Sequence, residues 1–300
     1  MTVAIRTESL TKYYGKQRGL DGLDLEVQPG EVYGFLGPNG AGKTTTIRLL
    51  LDVLRPTGGR AEVLGLEPRA SGVELRKRVG YLPGDFVVNG RQTSRQLLGH
   101  LAALRGGIDR EYLDSLIERV ELDPTITIRS LSKGNRQKVG LVQAFMHRPE
   151  LLILDEPTSG LDPMLQREFQ AMAREAAASG QTVFMSSHVL SEVQAVADRA
   201  GIIRDGRLVA VDRVETLRER SVRQVEIVFD DPVPVEAFAA IEDVEHLAVE
   251  GNTLTCQLRG RADQFVKTIA RFGVASLLSE EQDLEEMFFA YYTDEEDRRA

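Results

Sequence analysis

The chain has 300 residues, 42% hydrophobic and 28% charged, a balance that suits an ordinary globular protein with room for one large and one small domain. Its formal net charge of −9 argues against a protein that grips nucleic acid through a general basic field. The single cysteine, Cys256, excludes an internal disulfide and reads as a small buried apolar side chain. The N-terminal "MTVAIRTESL" has no signal-peptide core, and no run approaches the ~20 apolar residues that cross a bilayer.

In chain order, "EVYGFLG" reads as a strand and runs into "GPNGAGKT", Gly37–Thr44, which opens a helix over Lys43–Leu54. Ile47, Leu50, Leu51 and Leu54 share one face of that helix. From about residue 75 to 146, "TSRQLLGHLAALRG" and "DREYLDSLIERVEL" space their apolar residues at three and four with no good strand between them, which predicts a helical insert. Inside it, "LSKGNRQ", Leu131–Gln137, is polar, carries Ser132 and Gly134, and opens a helix, the profile of an anion-binding helix start. "LLILDE" at 151–156 is an apolar strand ending in two carboxylates, followed by Pro157, a Ser159-Gly160 turn, Asp162 and a helix over Pro163–Ala178. "TVFMSSH" reads as another strand, ending at His188 before a helix over Leu190–Ala197. Alternating strands and helices over the first 215 or so residues predict an α/β layer with a mostly parallel sheet. Beyond "VDRVETLRER" the pattern changes. "RQVEIVFD" and "TLTCQLRG" alternate like half-buried strands, "PVEAFAAI" and "ADQFVKTIARFG" are helical, and the tail "TDEEDRRA" is charged and expected to fray. We therefore divide the chain into a domain over 1–220, carrying the insert, and a small α+β domain over 221–300.

"GPNGAGKT" satisfies G-x-x-x-x-G-K-[ST] at every fixed position and in the right context, between a strand and a helix. Gly37, Gly40 and Gly42 let the backbone turn its N–H groups onto phosphates, Lys43 supplies a point charge, and Thr44 offers a hydroxyl to Mg²⁺. At the end of the second strand, Asp155 is placed to hold the metal and Glu156 to orient or deprotonate an attacking water. A lone Asp-Glu pair would read rather as a helix cap or a solvated strand end; Pro157 and the turn ending in Asp162 favour function here.

At this point the residues resemble one family, the ATP-binding subunits of ABC transporters. The resemblance covers about residues 3–215 in the family's order: Walker A "GPNGAGKT", signature "LSKGNRQ", Walker B "LLILDE", D-loop "SGLD" from Ser159 to Asp162, and switch histidine His188 in "SSH". It implies a P-loop NTPase core and an MgATP site lined by Gly37, Pro38, Asn39, Gly40, Ala41, Gly42, Lys43, Thr44 and Thr45. Tyr14 is implied to stack on adenine, with Tyr13 a second candidate. It also implies a partner: two cassettes, identical or homologous, close head to tail on two ATP molecules. Ser132 and Gly134 then meet the γ-phosphate held by the other subunit, with Asp162 at the same seam. A histidine after a strand is often only a hydrogen-bonded structural residue; the family reading gives His188 the γ-phosphate.

Two departures stand out. Gly84 in "VGYLPGDF" occupies the place of the family's loop glutamine, and Asp85, the nearest oxygen donor, is the candidate to take over part of its task. Lys133 and Asn135 stand where glycine and glutamine are common. The implied protein is an ATPase at the cytoplasmic face of the cell membrane, held there by separate permease subunits, with export of a drug, antibiotic or lipid-like substrate suggested by "GFLGPNGAGKTTTIRLL" and the terminal "DLEEMFFAYY". That terminal segment is read as packing on the core or a dimer mate, or as simply closing the small domain. The alternative is a non-transport cassette acting on nucleic acid or ribosomes. A non-hydrolysing regulatory cassette is disfavoured by the presence of Lys43, Asp155, Glu156 and His188.

Overall fold

A computed structural model of the protein describes residues 3–281 other than 89, 221 and 261. The segments "DLEEMFFAYY" and "TDEEDRRA" lie outside the described residues. The chain forms two compact units, Met1–Asp212 and Arg213–Ala300.

The first unit opens with β1 (Ile5–Tyr14), β2 (Gln17–Val27), β3 (Val32–Leu36), α1 (Lys43–Leu50), β4 (Gly58–Val63), α2 (Pro68–Arg78) and β5 (Val79–Leu82). It continues with α3 (Ser94–Leu104), α4 (Arg110–Arg119), a 3₁₀ turn, and α5 (Lys133–Phe145). It then runs through β6 (Leu151–Asp155), α6 (Pro163–Ala178), β7 (Thr182–Ser187), α7 (Leu190–Val196), β8 (Arg199–Arg204) and β9 (Arg207–Arg213).

The central sheet has the order β5-β6-β7-β3-β8-β9, with β5–β6, β6–β7, β7–β3 and β3–β8 parallel. Every residue of β3, β6 and β7 is buried, as a parallel sheet covered on both faces demands. Tyr33 stacks on Phe184 across two of these strands. The register sets Asp155 beside Ser186 and Leu36 beside Ser187, so three strands end together at their carboxyl edge. Ile47, Leu50 and Leu51 of the α1 face are buried in the core and Leu54 packs against it, although the helix itself ends at Leu50, with Leu51 as its cap.

Two features differ from the sequence reading. An antiparallel sheet, β2-β1-β4, lies beside the parallel one. Register shifts interrupt β1 where it pairs with β2, and its burial does not alternate cleanly, so no sustained period marks it. And β5 lies inside the stretch read as wholly helical. It is four residues long and is defined as a strand by pairing with β6, Val79 against Leu151 through Leu82 against Leu154. A run that short carries too few residues to break a helical period.

The second unit comprises α8 (Val214–Arg220), β10 (Val222–Phe229), α9 (Val235–Ala239), β11 (Val244–Glu250), β12 (Thr253–Arg259), α10 (Asp263–Ile269) and β13 (Val274–Glu281). Its sheet has the order β11-β12-β10-β13 with antiparallel neighbours, the split β-α-β arrangement. Val225, Ile227, Phe238, Leu254 and Phe265 build its core. Cys256 sits among them, and burial pushes its thiol up to about 11, so it is an inert apolar residue as expected.

Candidate nucleotide-binding site

The loop from Gly37 to Thr44 leaves β3 and enters α1. Its last turn depends on Gly42, whose φ of 113° lies in the region that favours glycine, and whose backbone begins the helix. A Cβ there would come within 2.8 Å of the Gly19 carbonyl. Lys43 is 5% exposed. A buried ammonium must be paired, and its Nζ donates to the carbonyls of Gly37 and Pro38 and meets Glu156 Oε1 at 3.2 Å. These are the partners a phosphate oxygen would replace.

Asp155 is equally well held. Thr44 Oγ1 donates to its Oδ2 at 2.8 Å and Ser186 Oγ donates to its Oδ1 at 2.6 Å. Glu156 follows in a left-handed conformation, φ 50°, which turns its side chain back over the loop. There it sits between Lys43 and His188 Nδ1, the latter 2.8 Å from Oε2. Ser187 fixes the histidine turn: its hydroxyl donates to Glu192 and accepts from Val189 N–H. The Ser187 carbonyl also accepts from Gly37 N–H, tying the histidine turn to the phosphate loop.

These groups border a cavity of about 430 Å³ lined by Tyr14, Gln17, Arg18, Gly19, Pro38, Asn39, Gly40, Gly42, Lys43, Thr44, Thr45 and Glu156. Tyr14 projects into solvent at its rim, with Oη 3.4 Å from Thr45 Oγ1 and Lys12 Nζ 5.4 Å from the ring centroid. Of the loop residues named from sequence, Ala41 is buried beneath the cavity and Gly37 contributes through its carbonyl to Lys43.

Ser132, Gly134 and Asp162 do not line this cavity. Ser132 is the N-cap of α5, accepting from Asn135 N–H at 3.2 Å. Gly134 lies against the D-loop, where a Cβ would stand 2.9 Å from the Gly160 carbonyl. Asp162 caps α6, and the N–H groups of Leu165 and Met164 hold its carboxyl below the usual range. Gln137, buried on the same helix, donates to the carbonyls of Glu156 and Pro157 and joins the signature helix to the Walker B turn. Its position two residues beyond Asn135 in the motif was the available signal. Gln17, Arg18 and Gly19 were missed because they form the polar start of β2, ahead of its alternating run at Leu23, Leu25 and Val27. At Gly84 a Cβ would stand 3.3 Å from the Asp155 carboxyl; Asp85 beside it is exposed.

A family model described as "ABC transporter" matches residues 20–159. The bacitracin transport ATP-binding protein BcrA of Bacillus licheniformis is 38% identical over 237 residues, covering 77% of this chain and 76% of that protein. BcrA of Enterococcus faecalis is 32% identical over 298 residues, covering 96% of each. The solved structure of an ATP binding subunit of an ABC transporter matches with a TM-score of 0.67 at 29% identity, covering 72% of this chain and 92% of that one. These likenesses favour the transport reading over the nucleic-acid or ribosome alternative. The phosphate loop, its buried lysine and the paired carboxylates thus sit on a chain that belongs to the ATP-binding, ATP-hydrolysing subunits of ABC transporters.

Proposed function

We propose that this subunit drives export of an antibiotic, drug or lipid-like molecule, two cassettes closing over two MgATP and acting on a separate integral-membrane permease at the cytoplasmic face of the membrane. Cassettes of the family dimerise and pair with membrane permease components, and no described helix is long and apolar enough to cross a membrane. The export reading leans on the relatives named for bacitracin transport.

One observation carries the dimer: the chain presents two phosphate-type helix tips, and only one of them borders the cavity. Within a protomer Tyr14 stacks on adenine, the loop N–H groups and Lys43 take the phosphates, Glu156 receives the proton of the attacking water, and His188 orients Glu156 and the γ-phosphate. Ser132 and the N-terminus of α5 face the γ-phosphate of the partner's ATP, with Asp162 of the D-loop at the seam. Positioning and charge neutralisation carry the reaction.

Asp155 Oδ2 and Thr44 Oγ1 are hard oxygen donors 2.8 Å apart. Among the described residues no group of three or more His, Cys, Asp or Glu could hold a metal. Two protein ligands completed by phosphate and water suit Mg²⁺, which supplies charge neutralisation on the phosphates when bound. Purification of the tagged chain from membranes tests the assignment: a polytopic membrane protein that stimulates its ATPase is expected to accompany it. Recovery of nucleic acid or ribosomes in its place contradicts the reading.

A further inference from the structure

Ser186 is fully buried at the carboxyl end of β7, paired in register with Asp155 on β6. Its hydroxyl makes two contacts at once, which one O–H with free lone pairs permits. It donates to Asp155 Oδ1 at 2.6 Å and accepts the backbone N–H of Glu156 at 3.1 Å. The other Asp155 oxygen is taken by Thr44. When the Thr44 hydroxyl turns to its ligand, Ser186 is the side chain that still fixes the rotation of the carboxylate. The same hydroxyl holds the N–H of a residue whose left-handed backbone, φ 50°, is unfavourable unless its surroundings fix it.

We propose that Ser186 is a positioning residue for ATP hydrolysis, one hydroxyl that sets both the metal-side carboxylate of Asp155 and the backbone of the base Glu156 from strand β7. Ser186, two residues before His188, points inward and acts through its neighbours. The inference rests on the proposed roles of Asp155 and Glu156. A serine that merely satisfies a buried carboxylate would affect folding alone, so the test needs readouts that separate the two.

Ser186→Thr and Ser186→Val add a branch of nearly equal volume at this fully buried strand position, and only threonine keeps the hydroxyl. Three quantities are compared on the full chain: kcat and KM for ATP, Mn²⁺ binding by electron paramagnetic resonance with a non-hydrolysable ATP analogue, and the thermal midpoint. We expect Ser186→Val to lower kcat and weaken Mn²⁺ binding by ~10–100-fold with KM little changed, and Ser186→Thr to retain most of both. Equal kcat and equal Mn²⁺ affinity in two folded variants would overturn the proposal. Should the branch itself unfold the protein, Ser186→Ala, which adds no atoms, gives the same comparison against the parent chain. Asp155→Asn separates the underlying reading: if Mn²⁺ binding survives that change, the assignment of Asp155 fails, whatever Ser186 does.

Discussion

Lys43 and Ser132 both stand at the N-terminal tip of a helix, yet the two tips are built differently. Lys43 is buried, with two carbonyls and a carboxylate around its ammonium, and the loop before it closes one side of a cavity. Ser132 is exposed, and among the described residues its hydroxyl caps its own helix. The α5 tip is nonetheless firmly placed: Gln137 bonds it to the Walker B turn, and Gly134 abuts the D-loop backbone. The first tip is a site completed within the chain. On the function proposed above, the second is a half-site whose ligand arrives with another subunit, and Gln137 ties it to the turn that carries Glu156, the proposed base.

Changes at the two tips should therefore fail differently. The largest effect belongs to Glu156→Gln, which removes the proposed base while keeping the size of the side chain. Turnover should fall by ~10²–10⁴-fold with ATP still bound, measured by phosphate release beside equilibrium nucleotide binding. Next is Gly134→Val, which drives a side chain into the Gly160 carbonyl at a position where even a Cβ comes to 2.9 Å. It should remove most ATPase activity while leaving ATP affinity of the isolated protomer unchanged; a matching loss of affinity would mean the tips are not separable. Tyr14→Ala should raise KM for ATP about tenfold with kcat little altered, the loss of one stacking platform. The smallest effect is expected at the loop beside Asp155. If Asp85 takes part in the task of the absent glutamine, Asp85→Ala should lower Mg²⁺-dependent ATPase several-fold, and unchanged activity would remove that role.

Much of the first tip was legible in sequence because its chemistry is contiguous. Gly37–Thr44 holds loop, ammonium and hydroxyl in eight consecutive letters, and the apolar run before Asp155 announces its own strand. The partners that orient these groups were harder to see, since they come together only through sheet register. Ser186 meets Asp155 because β6 and β7 pair in parallel, and Gln137 meets the Glu156 turn because α5 packs there. Gln17 and Arg18 stand in the exposed start of β2, ahead of its alternation at Leu23, Leu25 and Val27, while β1 lacks a clean alternation and the four residues of β5 are too few to interrupt a helical pattern. In the second unit β10 and β12 were visible as alternating runs, while β11 and β13, largely exposed, gave no apolar alternation to find.

In the proposed dimer the open tip at Ser132 is completed by the ATP of a second cassette. Light-scattering mass of the Glu156→Gln chain, with and without MgATP, tests it most directly when paired with the same chain carrying Ser132→Arg. ATP should double the mass of the first protein and leave that of the second, which still binds nucleotide, at one protomer. A Glu156→Gln chain that stays single when saturated with ATP, or a Ser132→Arg chain that pairs as readily as its parent, would contradict the account.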